Sequence, residues 1–282
     1  MGESMTHDYI GAAAQFAPLI SMMLVTGVVG GILAGLLGVG GGIVIVPVLE
    51  LVLATLGVDA SVRMHVTVAT SLATIIPTSI SSSRAHHARG AVDTDLLRQW
   101  AVAIFLGAIT GVILASHVGG DFLSAVFGVV ALIVAVKMLL PLDGKTIADT
   151  VPGGVAAQAI PFAIGGVSTM MGIGGGTLSV PILTLLNHPI HRAVGTASLF
   201  GLLISAPATI GFIVTGWNNR LLPPGSLGYV NLIGFAVIAP VTYFTAPYGA
   251  RLAHALTKRQ LGLMFGIFLM IVAVRMLVRA FA

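Results

Sequence analysis

The sequence predicts an all-α polytopic membrane protein: two inverted repeats of five hydrophobic segments, with broken or half-membrane helices at two glycine triplets. Three observations predict it. Of the 282 residues, 57% are hydrophobic and 8% charged, whereas soluble domains are about a quarter charged. Apolar runs close to the roughly 20 residues that cross about 30 Å of hydrocarbon recur along the chain. The stretch "GLLGVGGGIVIVP", Gly35 to Pro47, returns as "MGIGGGTLSVP", Met171 to Pro181. The whole chain, 1–282, reads as one transmembrane domain.

The first segment, 16–37, follows a stretch that carries Glu3 and Asp8 but no Lys or Arg. That is not a basic n-region, and the apolar run exceeds an h-region, so we expect it to be retained rather than cleaved. The second segment, 43–57, is short. Pro47 suits the first turn of a helix and pushes the residue before it out of the helical region. A helix starting there would run about ten residues, about 15 Å or half a bilayer. Segments 64–83, 96–117 and 122–141 complete a first repeat over 16–141. The second repeat, 155–281, contains 155–171, a short 177–187 with Pro181 in the role of Pro47, then 191–216, 227–250 and 260–281. Whether the two short segments span or re-enter is left open.

The loops after segments three, five and nine hold Arg84, Arg89 and Arg98, then Lys145, then Arg251, Lys258 and Arg259. The opposite side receives Arg63, Arg220 and Arg279. The positive-inside rule makes the first set cytoplasmic and the N-terminus periplasmic. These clustered charges encode topology and do not make a nucleic-acid footprint.

The repeat extends beyond the triplets. Gly38, Gly40–Gly42 and Pro47 match Gly172, Gly174–Gly176 and Pro181 at an offset of 134. His65 opens a segment containing "VATSL", and His191 one containing "VGTAS"; "IVAVKM" faces "IVAVRM" at offset 138. Three landmarks in the same order are not chance similarity between apolar stretches. An odd number of segments per copy inverts the second, a signature of secondary transporters together with interrupted helices at matching positions.

A glycine triplet either lets helices pack closely or lets backbone N–H groups reach a ligand without a Cβ in the way. A short helix beginning just after it adds unpaired N–H groups and the positive end of its dipole, which together favour an anion. The duplication and the distal proline favour a site: Gly40, Gly41 and Gly42 facing Gly174, Gly175 and Gly176. Thr70, Ser71, Thr196 and Ser198 offer neutral donors at matching points, with cross-helix structural bonding as the alternative.

The pattern "GLLGVGGGIVIVPVL", "HVTVATSLATIIPTSIS" and "GAVD", with "GIGGGTLSVPIL" and "HRAVGTASL" in the second half, resembles the TauE/SafE sulfite-exporter family (the TSUP transporters). It covers nearly the whole chain. The resemblance implies a multi-pass protein of the bacterial inner membrane that moves small anions, notably sulfite and organosulfonates. The chain departs from the family pattern where "TAS" replaces "TSL". The expected activity is export of such an anion by alternating access; a passive channel or uniporter for a small oxyanion or carboxylate is the alternative.

Glu50 is the one acidic residue of the second segment, and with His65 and His191 it is a candidate for proton coupling. At segment starts the histidines equally suit an interfacial role. Starting the helix at Pro47 puts Glu50 in its first turn. Lys137 and Arg275, matched in the repeats, read as snorkelling anchors. The chain has no cysteine, no metal-ligand spacing, and no HExxH, G-x-S-x-G or Walker motif. We therefore expect neither an enzyme nor a cofactor or metal. The expected partners are a small anion and the bilayer, in a monomer or homodimer.

Overall fold

The computed structural model describes residues 2–38, 40–140, 154, 156–252 and 258–281. Among them are ten α-helices: α1 (Gly2–Leu37), α2 (Gly42–Thr55), α3 (Ala60–His87), α4 (Thr94–Ser116), α5 (Gly120–Leu139), α6 (Ala159–Met171), α7 (Gly176–Leu185), α8 (Ile190–Gly216), α9 (Leu232–Leu252) and α10 (Lys258–Phe281). A 3₁₀ turn, Ala156–Gln158, precedes α6, and a two-residue hairpin of β1 (Ser226–Leu227) and β2 (Val230–Asn231) precedes α9. Each expected segment thus holds one helix. Lys145 of the predicted basic loops lies outside the described residues.

Five helices are long and apolar enough to cross a membrane: α1 from Pro18, α4, α5, α8 and α9. At 28 residues α3 is also long, but its Thr and Ser residues lower its hydropathy. It tolerates them because α2, α5, α8 and α9 pack around it, burying Thr67, Thr70, Ser71, Thr74, Thr78 and Ser79 away from lipid. Large apolar side chains face outward instead from α4, α5, α8 and α10, among them Val102, Ile133, Ile210 and Ile271. The bilayer is the solvent for that surface.

Small residues set the closest helix pairs. Gly234 and Gly249 of α9 lie against Met23 and Ile32 of α1, so these helices run side by side in one direction. Gly107 and Gly111 of α4 lie against Phe162 and Gly166 of α6, again in parallel. A Cβ on Gly35, Gly107 or Gly249 would collide with a backbone carbonyl of the neighbouring helix, the close approach that small residues permit where no hydrophobic effect drives helices together. Elsewhere the helices oppose each other. The start of α3 meets the chain beyond α8, where His65 stacks on Tyr229 at 5.2 Å. The start of α8 meets the chain beyond α3, where Thr196 bonds Asp93.

The short helices correct the sequence expectation. Neither starts at its proline: α2 begins at Gly42 and α7 at Gly176, with Pro47 and Pro181 inside them. Gly38, Gly40 and Gly41 turn the first break with φ of 66°, 74° and 76°, a region open to glycine. Once turned, the chain goes straight into a helix, and the proline merely omits one ladder donor in its second turn. From the interior, α2 runs toward the end of the molecule where α3 starts, and Glu50 meets Arg63 there. The other short helix, α7, runs toward the opposite end, where His188 lies 3.6 Å from Asp93.

Candidate anion site at two back-to-back helix starts

Both glycine triplets are buried, and they touch. The direction a Cβ would take from Gly40 points within 3.4 Å of the Gly174 Cα, and that from Gly42 points at Gly172 and Ile173. The height of the contact follows from its neighbours: Ile75, near the middle of α3, beside Gly40, and Phe200 and Ile204, near the middle of α8, beside Gly175. Two segments far apart in sequence thus meet halfway along the central pair of helices.

The backbone polarity there follows from where the ladders begin. Val44 and Ile45 donate to the Gly41 carbonyl at 3.0 and 3.2 Å, and Ser179 donates to that of Gly175 at 2.8 Å. The N–H groups of Gly42, Ile43, Gly176, Thr177 and Leu178 therefore belong to first turns that have no intrahelical acceptor. Two helix-dipole positive ends lie on one buried locus. The triplets are not copies in detail. Gly38 and Gly172 share φ values of 66° and 68°, but Gly40 and Gly41 are left-handed whereas Gly175 is right-handed, with φ −55°.

The four expected hydroxyls are buried, but each already serves the fold. Ser71 donates to the Gly172 carbonyl at 2.7 Å, tying α3 to the second glycine break. Ser198 donates to the Gly195 carbonyl one turn back. Thr70 accepts the Asn231 N–H, and Thr196 accepts the Asp93 N–H, each at 2.8 Å. These bonds are repeat-related, since Asn231 lies at offset 138 from Asp93, and both side chains cap the helix that follows. Accepting leaves Thr70 and Thr196 their hydroxyl protons.

Other hydroxyls lie outside the paired TSL and TAS positions. Thr177, in the first turn of α7, Ser79, in the second half of α3, and Ser205, near the middle of α8, are buried with no hydrogen-bond partner. Ser79 Oγ lies within 2.5 Å of where a Gly201 Cβ would stand, so it sits in the seam between α3 and α8. A buried hydroxyl without a partner costs about 1–3 kcal/mol. Ser79 and Ser205 are separated by the offset that relates His65 to His191, the signal that could have found them.

Glu50 stands well away from a first turn, as the ninth residue of α2. Its side chain is 5% exposed and meets three guanidinium groups. Arg63 Nε is 3.1 Å from one carboxylate oxygen, Arg275 is 3.7 Å from the other, and Arg279 is in direct contact. Arg275 thus has a partner within the protein, and so has its match Lys137, whose Nζ donates to the Pro181 carbonyl of α7. His65 is buried; its Nε2 lies 3.0 and 3.1 Å from the carbonyls of Ala115 and Val118. Facing two carbonyls, Nε2 acts as a donor, and Nδ1 has no partner. His191 is exposed. The histidines are paired in the repeat but not in environment, and neither touches the glycine contact.

Residues 23–276 match the family model described as sulfite exporter TauE/SafE. A probable membrane transporter protein of Haemophilus influenzae is 32% identical over 260 residues, 92% of this chain and 98% of its own length. Probable membrane transporter proteins of Methanocaldococcus jannaschii and Bacillus subtilis are each 24% identical, over 93% and 91% of this chain and 97% and 96% of theirs. No solved structure matches the chain.

Proposed function

The chain belongs to the sulfite exporter TauE/SafE family of membrane transporters, and on that premise we propose that it exports sulfite or a related organosulfonate as a secondary transporter. The site is the locus where α2 and α7 begin, between Gly40–Gly42 and Gly174–Gly176. The observation that carries this reading is the direct contact of the two glycine breaks. First-turn N–H groups from both sides point positive dipole ends at one place, so an anion is held by oriented backbone without a buried lysine. Thr177, Ser79 and Ser205 add unspent donors, and the protons of Thr70 and Thr196 remain available.

Alternating access fits the packing. Pairing α1 with α9 and α4 with α6, and setting α3 against α8, relates the chain to itself when each of the first five helices is exchanged for its counterpart. That self-relation supports two inverted repeats, 16–141 and 155–281, rocking about a fixed site. With the basic loops inside, the N-terminus is periplasmic and the membrane is the bacterial inner one.

The test is sulfite flux in proteoliposomes with and without an imposed pH gradient, using sulfate and sulfoacetate as competitors. Saturable, uphill flux is expected, lost on Gly175→Ala while the protein still elutes as a folded species. A Cβ at Gly175 would meet Ile204 Cδ1 at 2.9 Å and Phe200 Cβ at 3.0 Å, side chains of α8, so the start of α7 must shift without a collision with backbone. Wild-type flux in Gly175→Ala would remove the site from the glycine contact. Flux that only follows the sulfite gradient would make the protein a uniporter or channel.

A further inference from the structure

We propose that Arg63, Arg275 and Arg279 form a second anion site, at the end of the molecule where α2 terminates, with Glu50 as its resident counter-ion. The charge balance carries it. Glu50 faces three guanidinium groups, and Asp59 lies near enough to Arg63 for its carboxyl to feel that charge, so among the described residues the cluster keeps an excess of one positive charge. Arg63 and Arg279 are 19% and 18% exposed, and Arg275, at 41%, opens the cluster outward.

The hydrogen bonds point the same way. Three guanidinium groups present about fifteen N–H donors, and a carboxylate has about four lone-pair positions. Arg63 Nε and Arg279 Nη1 both lie against one oxygen of Glu50, and Arg63 Nη1 also reaches the Val58 carbonyl at 3.5 Å. The N–H donors in excess of what Glu50 can accept, held in planar forks, suit a compact oxyanion with several acceptor oxygens, which guanidinium binds in a bidentate manner. The matching place in the other repeat differs. There Lys137 bonds the Pro181 carbonyl and lies 3.5 Å from Thr184, and Thr184 stands where Glu50 would be. The site belongs to one end only.

The cluster concentrates a small oxyanion at that end, and Glu50 competes with it so that the anion leaves again. The identity of the anion rests on the transport reading above; the site itself rests on the cluster. Sulfite, sulfate and methanesulfonate are the probes, titrated at constant ionic strength into purified protein while thermal unfolding is followed. Ligand binding to the folded state raises the midpoint.

Glu50→Gln removes the competitor, and the sulfite concentration giving half the shift should fall about tenfold. Arg275→Gln, at the most exposed arginine, should raise it about tenfold, and Arg275→Lys should restore it in part. If Glu50 were only a latch between α2 and α10, Glu50→Gln would lower the unfolding temperature without moving the sulfite midpoint, which would overturn the proposal. So would a midpoint set by added phosphatidylglycerol rather than by sulfite, because a lipid phosphate would then be the occupant. Loss of flux in Gly175→Ala with unmoved midpoints in Glu50→Gln and Arg275→Gln sinks the cluster alone. Moved midpoints without flux in the wild type sink the transport reading alone.

Discussion

Thr70 and Thr196 show how one residue type can read as a ligand and act as a joint. Each hydroxyl oxygen accepts the first N–H of a chain entering a helix, and the pair is related by the repeat. Removing the acceptor leaves a buried donor unpaired, at about 1–3 kcal/mol. Thr196→Val should therefore lower the unfolding temperature by several degrees in a detergent thermal-shift assay, and Thr196→Ser should recover most of it. An unchanged midpoint in the valine variant would mean that the Asp93 N–H finds water instead. The motif was legible at both positions, but the direction of the bond was not. Direction depends on Asn231 and Asp93, which no local pattern ties to "VATSL" or "VGTAS". His188 belongs to the same junction. Burial holds its imidazole below the ordinary pKa of 6.5; Asp93 opposes the shift and Arg192 adds to it. The neutral form is thus favoured on folding, so its contribution to stability is full above about pH 6.5 and is lost as pH falls through the lowered value. Unfolding temperature measured between pH 7.5 and 5 should drop on acidification, and His188→Gln should flatten that slope.

Among the elements, helix existence was legible and helix starts were not. All ten segments hold helices because apolar length dominates in a membrane. Pro47 and Pro181 misled because proline is tolerated inside a short helix once the glycines before it have made the turn. The shift of five residues changes the chemistry. It places the first-turn N–H groups on the glycine contact itself, and it carries Glu50 away from that contact to the arginines. The polar α3 shows the opposite limit. Its low hydropathy argues against a span, and only the helices packed around it explain why Thr74, Thr78 and Ser82 are not exposed to lipid. The cluster of Glu50 with Arg275 and Arg279 could not be read in advance at all, since α10 joins α2 only through the fold.

For the whole molecule, the halves interleave. The first helix of the chain packs along α9, and α6 packs along α4, so neither half owns a complete helix pair at its edge. Residues 1–140 expressed alone should be degraded or extracted only as aggregate, whereas co-expression with 154–282 should restore a single folded species on size-exclusion chromatography. A stable, monodisperse first half would show that the repeats are independent units. The repeated sequence landmarks were legible because they keep their order. The exchange of partners between halves was not, because hydropathy carries no record of which helix lies beside which.

The arginine cluster also imposes an order on biogenesis. As the nascent chain leaves the ribosome, α2 brings a carboxylate to the membrane when only Arg63 follows closely. Arg275 and Arg279 arrive with α10, after α1–α9 have been synthesised. Only α10 completes that end, so a chain truncated before it should leave Glu50 with Arg63 alone and turn over faster than the full chain in a pulse-chase measurement.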